Sequence, residues 1–331
     1  MLFPYDVYLP AVLGAGLTTA ATLPLWRTWC RRAGLVDDPG ERKIHATPIP
    51  LAGGLAVMSG LAVPLLAGIA ALAWSRGGTI VFNATVAGLL EHGLGRRGLE
   101  LGGVMLGALI MLAVGLLDDK IELRPALKFG GQVLAALITA AAGARITLFV
   151  PSLLFSYAMT VLWILTVVNA FNFMDNMNGL CGGLGAIGAF YFGLMAATAP
   201  VPQYLVALIA FLACGALVGF LPNNFPRAKS FLGDSGSHLV GYLLAVLAIL
   251  PHFYSRGNAH AVAVLTPLLI LAVPLGDLVW VVILRWRMRQ PFYVGDTNHL
   301  SHRLVKLGLG RTRAVLVIWL LAIAIGALAF I

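Results

Sequence analysis

Long apolar stretches, separated by short polar breaks, run along almost the whole chain. About 20 apolar residues in a helix cross the roughly 30 Å hydrocarbon core of a bilayer, so each such stretch predicts a membrane span. One stretch, Gly77 to Gly98, is apolar only between Thr79 and Leu90, and we interpret it as an interfacial or re-entrant segment. The ten predicted spans are residues 7–26, 49–73, 99–117, 127–144, 153–170, 179–198, 203–221, 236–254, 261–284 and 313–331.

Composition supports the same interpretation. Of the 331 residues, 60% are hydrophobic and only 11% are charged, and the mean hydropathy is +0.92. A globular domain carries about 25% charged residues, so a soluble domain is excluded. We predict an all-α polytopic membrane protein with about ten transmembrane helices, folded as a single domain over residues 1–331. The chain's beginning lacks the features of a cleaved signal peptide, so the first span is expected to stay in the mature protein.

The basic residues are unevenly distributed between the loops that join these spans. Seventeen fall in the odd-numbered loops and five in the even-numbered loops. The positive-inside rule then assigns the odd loops to the cytoplasm and both termini to the outside of the membrane. The net charge of +9 is explained by this bias and by anionic lipid headgroups, so we expect a bilayer and no nucleic acid as a partner.

Four polar clusters follow the ends of predicted spans, and all four fall in odd-numbered loops. They are GLLDDK (Gly115–Lys120), NAFNFMDNMNGL (Asn169–Leu180), FLGDSGSH (Phe231–His238) and GDTNHLSH (Gly295–His302). Polar groups at the edge of hydrocarbon are costly, which favours a functional site. We therefore expect one active site on the cytoplasmic face.

Three acidic positions in these clusters are candidates for catalysis. Asp118 and Asp119 are adjacent carboxylates that repel each other unless a cation compensates them, and Mg²⁺ prefers carboxylate and phosphate oxygens. Asp234 lies between glycines that let the backbone approach phosphate oxygens, although a turn with a capping Asp explains the motif as well. Divalent metal and phosphate chemistry accounts for all three.

Loop 9 and the span before it contribute further candidates. His299 and His302 are three residues apart, close enough for one helical face, and Arg303 beside them matches phosphate geometry. Solvated loop histidines are the alternative. Asp277 lies about two turns inside a span, where an acid is either functional or paired with a basic residue for structural reasons.

Basic and amide side chains in loops 1 and 7 complete the candidate set. Lys43 and His45 lie in the stretch DDPGERKIH, and Asn224 lies upstream of Asp234. Each fits either anion binding or a role in membrane topology alone. Carboxylates, amides and a basic rim on one membrane face describe a site for a divalent metal and a phosphorylated substrate, as phosphoryl transfer requires.

Five segments in order resemble a known family, the polyprenyl-phosphate N-acetylhexosamine-1-phosphate transferases. They are DDPGERKIHATPIPLAGG, GLLDDK with Lys128 and Gln132 downstream, NAFNFMDNMNGL, NFPRAKSFLGDSGS and DTNHLSHRL. The resemblance runs from about residue 35 to about residue 310. It implies a multi-pass protein of the inner (cytoplasmic) membrane that transfers a sugar-1-phosphate from a UDP-sugar to polyprenyl phosphate and releases UMP.

The resemblance also assigns roles to positions in this chain. Asp118 and Asp119 match an aspartate pair whose first member is the favoured base, and Asp234 matches an aspartate that binds Mg²⁺, for which Mn²⁺ is an alternative. Substrate binding is implied for Asn172 and for other polar residues. The resemblance places Asp175 near the nucleotide and metal, and His299, His302 and Arg303 at the pyrophosphate and sugar. Together with the residue patterns above, we expect Asp175, Asp234 and Asp119 as metal ligands. The expected substrate-binding residues besides Asn172 are Lys43, His45, Asp175, Asn224, Asp277, His299, His302 and Arg303.

Within the family, loop 1 resembles the WecA/TagO-like branch, which starts the assembly of cell-envelope glycans and makes GlcNAc the expected sugar. Two positions depart from the pattern of that branch. Ser301 stands where HxHH has a histidine, and Asn176 stands where many members have Gly. The sugar, the polyprenol length and the oligomeric state, with a homodimer as one option, are left open by the sequence.

Alternatives remain at this point. The specificity of a phospho-MurNAc-pentapeptide transferase is one, although loop 9 lacks the run of three histidines typical of that branch. A nucleotide-sugar or anion transporter is another, but transporters place acids near the midplane within repeats, and only Asp277 lies well inside a span. Direct attack by the lipid phosphate is preferred to a covalent carboxylate intermediate, since a phosphate oxygen beside Mg²⁺ is already an adequate nucleophile.

Overall fold

The computed structural model is almost entirely helical and describes residues 5–39, 47–75, 84–148, 150–251, 265–291 and 297–331. Two short strands, β1 (Val36–Asp37) and β2 (Ile49–Pro50), pair antiparallel within loop 1. The helices are α1 (Tyr5–Ala33), α2 (Gly53–Ser75), α3 (Ala84–Ile121), α4 (Pro125–Ala141), α5 (Leu153–Met174), α6 (Leu180–Thr198), α7 (Tyr204–Phe220), α8 (Gly233–Leu247), α9 (Thr266–Ile270), α10 (Ala272–Arg287), α11 (Leu300–Lys306) and α12 (Arg311–Ala327).

Within the described residues, seven helices are long and apolar enough to cross a membrane: α1, α2, α3, α5, α6, α7 and α12. Three shorter helices, α4, α8 and α10, with 17, 15 and 16 residues, coincide with three further predicted spans. The prediction of an all-α polytopic membrane protein is confirmed. The number of spans, ten, stays a prediction.

The segment before the third predicted span differs from expectation. Residues 84–98 were assigned to an interfacial or re-entrant piece, but they form the first part of the continuous helix α3. The prediction is wrong for these residues, while residues 77–83 lie outside the described part. At 38 residues α3 is about 57 Å long, which exceeds the hydrocarbon thickness. Its polar part is held by Arg97, which donates to the carbonyl of Leu250 at 3.0 Å and to Gln203 at 3.2 Å.

Helix α8 lies at the centre of the bundle. All of its residues from Ser235 to Leu247 are buried, and it packs against α3, α5 and α2. Gly115 of α3 lies directly against the backbone of Ser235, so a side chain at this position would force α3 and α8 apart. The close approach places the end of α3 beside the beginning of α8, where two of the polar clusters meet.

Backbone hydrogen bonds join loop 1 to the segment that leads into α8. The N–H groups of Gly53 and Gly54 donate to the carbonyls of Phe231 and Leu232 at 3.0 and 3.1 Å, and Phe231 N–H donates to Pro50 at 3.0 Å. These bonds satisfy donors at the start of α2 that have no partner within the helix. They also fix the chain just before Gly233, and hence the position of Asp234.

Candidate active site

The polar clusters surround one cavity of about 1020 Å³ at the end of the helix bundle where α3 and α5 terminate. Loops 1, 3, 5 and 7 all contribute to its wall, and α11 and α12 close another side. The structure thus brings the four clusters together, as their common side of the membrane led us to expect. The polar lining residues in the described part of the chain are Asp37, Asp38, Asp118, Asp119, Glu122, Asp175, Asn176, Asn178, Asn224, Arg227, Asp234, His302, Arg311 and Thr312.

Lys128 connects two of the aspartates. Its ammonium group forms an ion pair with Asp118 Oδ2 and lies 3.6 Å from Asp234 Oδ2. Pro125 occupies the first turn of α4, where a missing N–H costs nothing, and starts a helix that brings Lys128 back to the end of α3. Asp118 is buried and also accepts the N–H of Leu123 at 2.8 Å. The Lys128 side chain keeps 31% exposure.

Asp119 caps the N-terminus of α8. Its Oδ1 accepts the N–H of Asp234 at 2.8 Å and its Oδ2 accepts the N–H of Ser235 at 3.1 Å. A carboxylate is favoured there because the first N–H groups of a helix lack partners and carry partial positive charge. Gly233 has φ +75°, and a Cβ at this position would lie 2.7 Å from Asp119 Oδ2. Asp119 therefore aligns Asp234 with the cavity.

Asn172 determines the orientation of Asp234. Its Nδ2 donates to Asp234 Oδ1 at 2.9 Å and to Ser237 Oγ at 3.1 Å. One Asp234 oxygen is therefore fixed by an amide and the other lies near Lys128, while the side chain keeps 35% exposure to the cavity. Asn172, which the resemblance linked to substrate binding, thus acts on Asp234 in this structure.

Asp175 follows the last residue of α5 and lines the cavity. Among the described residues its carboxylate has no hydrogen-bond donor. Burial and the negative charges of Asp234 and Asp119 raise the pKa of Asp175 to about 8. Such an increase marks a carboxylate whose charge is not compensated by the protein and that would be stabilised by a cation.

The carboxylates that line the cavity are possible ligands of a divalent metal. No three His, Cys, Asp or Glu side chains in the described ranges are gathered closely enough to hold a metal by themselves. Mg²⁺ usually keeps several waters and binds through one or two carboxylates together with substrate phosphates. Asp175 and Asp234 fit that pattern, and the described lining has seven carboxylates against two arginines. The residues therefore suit Mg²⁺ that arrives with a phosphorylated ligand.

Asp277 and His299 form a buried pair that anchors α11. His299 Nδ1 lies 2.7 Å from Asp277 Oδ2, and the N–H of Leu300 donates to Asp277 Oδ1 at 2.6 Å. The His299 ring also meets the edge of Phe173 at 5.5 Å. Of the two interpretations of Asp277, the structure shows the pairing with a basic group. Both side chains support α11, and neither is part of the cavity wall.

The two remaining loop-9 candidates, His302 and Arg303, lie in different environments. His302 lines the cavity, and burial together with the charges of His299, Arg311 and Lys306 lowers its pKa, so the imidazole is neutral at pH 7. The guanidinium of Arg303 instead lies 4.7 Å above the ring of Trp280. Of the three, His302 is the one that reaches the cavity.

Both polar atoms of the Asn224 side chain form hydrogen bonds to the backbone of neighbouring loops. Its Oδ1 accepts the N–H of Gly179 at 2.6 Å and its Nδ2 donates to the carbonyl of Ser230 at 3.0 Å, while the side chain is buried at the cavity wall. It therefore joins loop 5 to loop 7. Lys43 and His45 lie outside the described residues.

The two departures from the family pattern contact each other. Ser301 Oγ donates to Asn176 Oδ1 at 2.6 Å, and Ser301 is fully buried. Sequence reasoning treated them separately because they lie 125 positions apart. It also missed Lys128 and Arg311 as site residues, since Lys128 entered only as part of a motif and Arg311 only as a marker of topology. The helix start at Pro125 was the signal that would have turned attention to Lys128.

Comparisons with known proteins identify the family of this chain. The family model described as "Glycosyl transferase family 4" matches residues 101–252, which contain the second half of α3, all of α5, Asp234 and Lys128. A Mycobacterium tuberculosis protein named "Decaprenyl-phosphate N-acetylglucosaminephosphotransferase" is 34% identical, with 97% of this chain and 82% of the relative covered. The chain belongs to this family. The membership inferred from the five motifs, in the polyprenyl-phosphate N-acetylhexosamine-1-phosphate transferases, is confirmed.

Two further relatives of the family extend the similarity. A Bacillus subtilis protein named "Probable undecaprenyl-phosphate N-acetylglucosaminyl 1-phosphate transferase" is 31% identical over 92% of this chain and 79% of its own length. A Yersinia pestis protein named "Undecaprenyl-phosphate alpha-N-acetylglucosaminyl 1-phosphate transferase" is 27% identical over 88% and 75%. The similarity of all three covers nearly the whole transmembrane bundle as well as the site.

Proposed function

We propose that the protein transfers GlcNAc-1-phosphate from UDP-GlcNAc to polyprenyl phosphate, giving polyprenyl-diphosphate-GlcNAc and UMP. One observation carries the proposal: four aspartates line a single cavity at the end of the membrane helices, and Lys128 is ion-paired with two of them, Asp118 and Asp234. The site thus lies where a lipid phosphate and a water-soluble nucleotide can meet. The names of the relatives supply the sugar and the lipid class.

In this proposal the acidic cavity binds the pyrophosphate of the donor together with Mg²⁺. Asp175 and Asp234 would hold the ion, which supplies charge neutralisation for the phosphates when bound. Asn172 keeps Asp234 in place through its 2.9 Å hydrogen bond. Arg227 and Arg311, at the cavity wall, add positive charge for the nucleotide.

Lys128 is the cation that we assign to the reacting phosphates. It is held by Asp118 and Asp234, yet it remains partly exposed. A pre-positioned ammonium group stabilises the charge that develops on phosphoryl oxygens and needs no rearrangement during the reaction. In this arrangement Asp118 orients Lys128. If Asp118 were the base, its carboxylate would first have to leave its ion pair with Lys128 and then contact the lipid phosphate.

A lipid phosphate attacks directly in this scheme. A phosphate monoester has its second pKa near 6, so at pH 7 its oxygen is already largely ionised and a strong base is not required. Attack on the β-phosphorus of the donor forms the new P–O bond and expels UMP. The protein contributes the in-line placement of the two phosphates and the charges around them.

The proposed location follows from the loops that carry these residues. The chain is a multi-pass membrane protein, and the loops that form the site carry the excess of basic residues. We assign the site to the cytoplasmic face of the cytoplasmic membrane and both termini to the outside. The transporter alternative loses its support, because Asp277, the acid that lies well inside a span, is paired with His299.

The test is UMP release by the purified protein in the presence of undecaprenyl phosphate, MgCl₂ and a panel of UDP-sugars. The proposal predicts release that requires both lipid and divalent metal, with UDP-GlcNAc as the best donor, and a loss of at least about 100-fold for Asp234→Asn. No release with any donor by folded protein that binds UDP-GlcNAc would contradict the proposal.

A further inference from the structure

One partly buried side-chain amide at the cavity wall, that of Asn176, joins the end of α5 to α11. Asn176 Oδ1 accepts the hydroxyl of Ser301 at 2.6 Å, and Asn176 Nδ2 donates to the carbonyl of Phe173 at 2.7 Å. Ser301 is fully buried, so its hydroxyl has no access to water as a substitute partner. Both ends of the Asn176 amide are thus used, one on each helix.

The residues next to this hydrogen bond face the cavity. Asp175 precedes Asn176, and His302 follows Ser301, and both line the wall. One side of the bond therefore carries a carboxylate assigned to the metal, and the other side carries a neutral imidazole. The Asn176–Ser301 bond therefore joins the two segments that carry Asp175 and His302.

The other polar contacts of α11 hold it to α10, while the His299 ring packs on Phe173 of α5 and the helix also packs on α12. Asp277 of α10 binds His299 and the N–H of Leu300, and Arg303 stacks on Trp280, also of α10. With these anchors alone, α11 would follow α10 and would not be tied by a hydrogen bond to the acidic end of α5. Ser301–Asn176 is thus the hydrogen bond, among the described residues, that ties α11 directly to the acidic end of α5.

We propose that Asn176 and Ser301 are positioning residues that form a latch between α5 and α11 and thereby determine the affinity for the nucleotide-sugar. The latch places the His302 imidazole at the cavity wall, where the ring exchanges hydrogen bonds with the pyrophosphate or sugar of the donor. This inference rests on the proposed function. It assigns no role to the latch in binding the lipid.

The experiment is a double-mutant cycle on the full-length protein with Ser301→Ala, Asn176→Ala and the double variant. Initial rates of UMP release are measured with UDP-GlcNAc varied at saturating undecaprenyl phosphate, and then the reverse. Thr198→Val is the matched control, because it removes an exposed hydroxyl that donates to Leu194 within its own helix, far along the chain from the site. Thermal unfolding of every variant is recorded in parallel.

Each single substitution is expected to raise the KM for UDP-GlcNAc about tenfold, equivalent to ~1.4 kcal/mol, the size of one hydrogen bond. We expect kcat to fall less than about threefold, the KM for the lipid to stay unchanged, and the double variant to resemble either single variant. The control should behave as the wild-type protein does.

Three results would overturn the inference. They are an unchanged KM for UDP-GlcNAc in both single variants, a double variant whose effect is the product of the two single effects, and a lower melting temperature without a change in that KM. Wild-type protein that releases no UMP would instead remove the proposed function, and with it this inference. The wild-type measurement thus separates the two failures.

Discussion

The substitution Asp119→Asn tests whether Asp119 has a structural role, in contrast to Asp175, which we assign to the metal. Asp119 accepts two backbone N–H groups at the start of α8, at 2.8 and 3.1 Å. Asn keeps one acceptor oxygen and turns its NH₂ group towards the second N–H. One donor then faces another donor, and the negative charge at the helix N-terminus is lost.

The magnitude follows from these two contacts. A hydrogen bond to a charged group contributes about 1.5–3 kcal/mol, and the interaction with the helix dipole adds about 0.3–1 kcal/mol. Burial and the negative charge of Asp234 both disfavour a charged Asp119, so loss of the charge also removes an unfavourable contribution, on the order of 1 kcal/mol for partly solvated charges. Asp119→Asn should therefore lower the free energy of unfolding by about 1–3 kcal/mol.

The assay combines thermal unfolding in detergent with UMP release, and Asp175→Asn is the comparison. A loss of this size lowers the melting temperature by about 2–4 °C per kcal/mol for a domain of moderate size, and less for a larger one. Asp119→Asn should lose both stability and activity, because Asp234 is then misaligned. Asp175→Asn should lose activity and keep or gain stability, since it removes an uncompensated buried charge.

The opposite pattern would refute this reasoning. If Asp119→Asn melted at the wild-type temperature while Asp175→Asn melted earlier, then Asp119 would not be the cap of α8. Activity retained by Asp119→Asn at full stability would likewise show that the alignment of Asp234 does not depend on it.

Three further substitutions test other parts of the site. Lys128→Met should lower kcat for UMP release by about 100-fold or more because a charge beside the phosphates is lost, whereas the exposed Lys229→Met should not change it; equal rates for the two variants would contradict the role of Lys128. Asn224→Ala should lower the free energy of unfolding by about 2–4 kcal/mol, since it leaves two loop backbone groups without partners, and a melting curve like that of wild type would argue against this. Asp277→Ala frees α11 from α10 and should raise the KM for UDP-GlcNAc about tenfold or more; a changed KM for the lipid alone would contradict the assignment of Asp277 to α11.

Much of the architecture could be predicted because a bilayer imposes a simple rule on sequence. Apolar length gives the helices, and the bias of basic residues gives a common side for the polar clusters. The convergence of Asp118, Asp175, Asp234 and His302 on one cavity follows from that common side. The rule failed for residues 84–98, where two arginines and several glycines interrupt the apolar pattern without ending the helix.

Contacts between distant side chains could not be read from the sequence. The ion pairs of Lys128, the capping of α8 by Asp119 and the Asn176–Ser301 bond each join segments whose relative rotation is set by packing. A pair of adjacent aspartates suggests shared metal binding, yet one points to Lys128 and the other to a helix N-terminus. The different environments of Asp118 and Asp119 arise from the close contact of α3 with α8 at Gly115 and from the backbone conformation of Gly233.

The central claim is that a sugar-1-phosphate, and not the sugar alone, is transferred. UDP-GlcNAc labelled at the β-phosphorus distinguishes the two when the protein is incubated with undecaprenyl phosphate and MgCl₂ and the lipid is extracted. We expect the label in the lipid fraction, with unlabelled UMP released in equal amount. Label that stays in the aqueous phase as UDP, while the sugar moves to the lipid, would contradict the account.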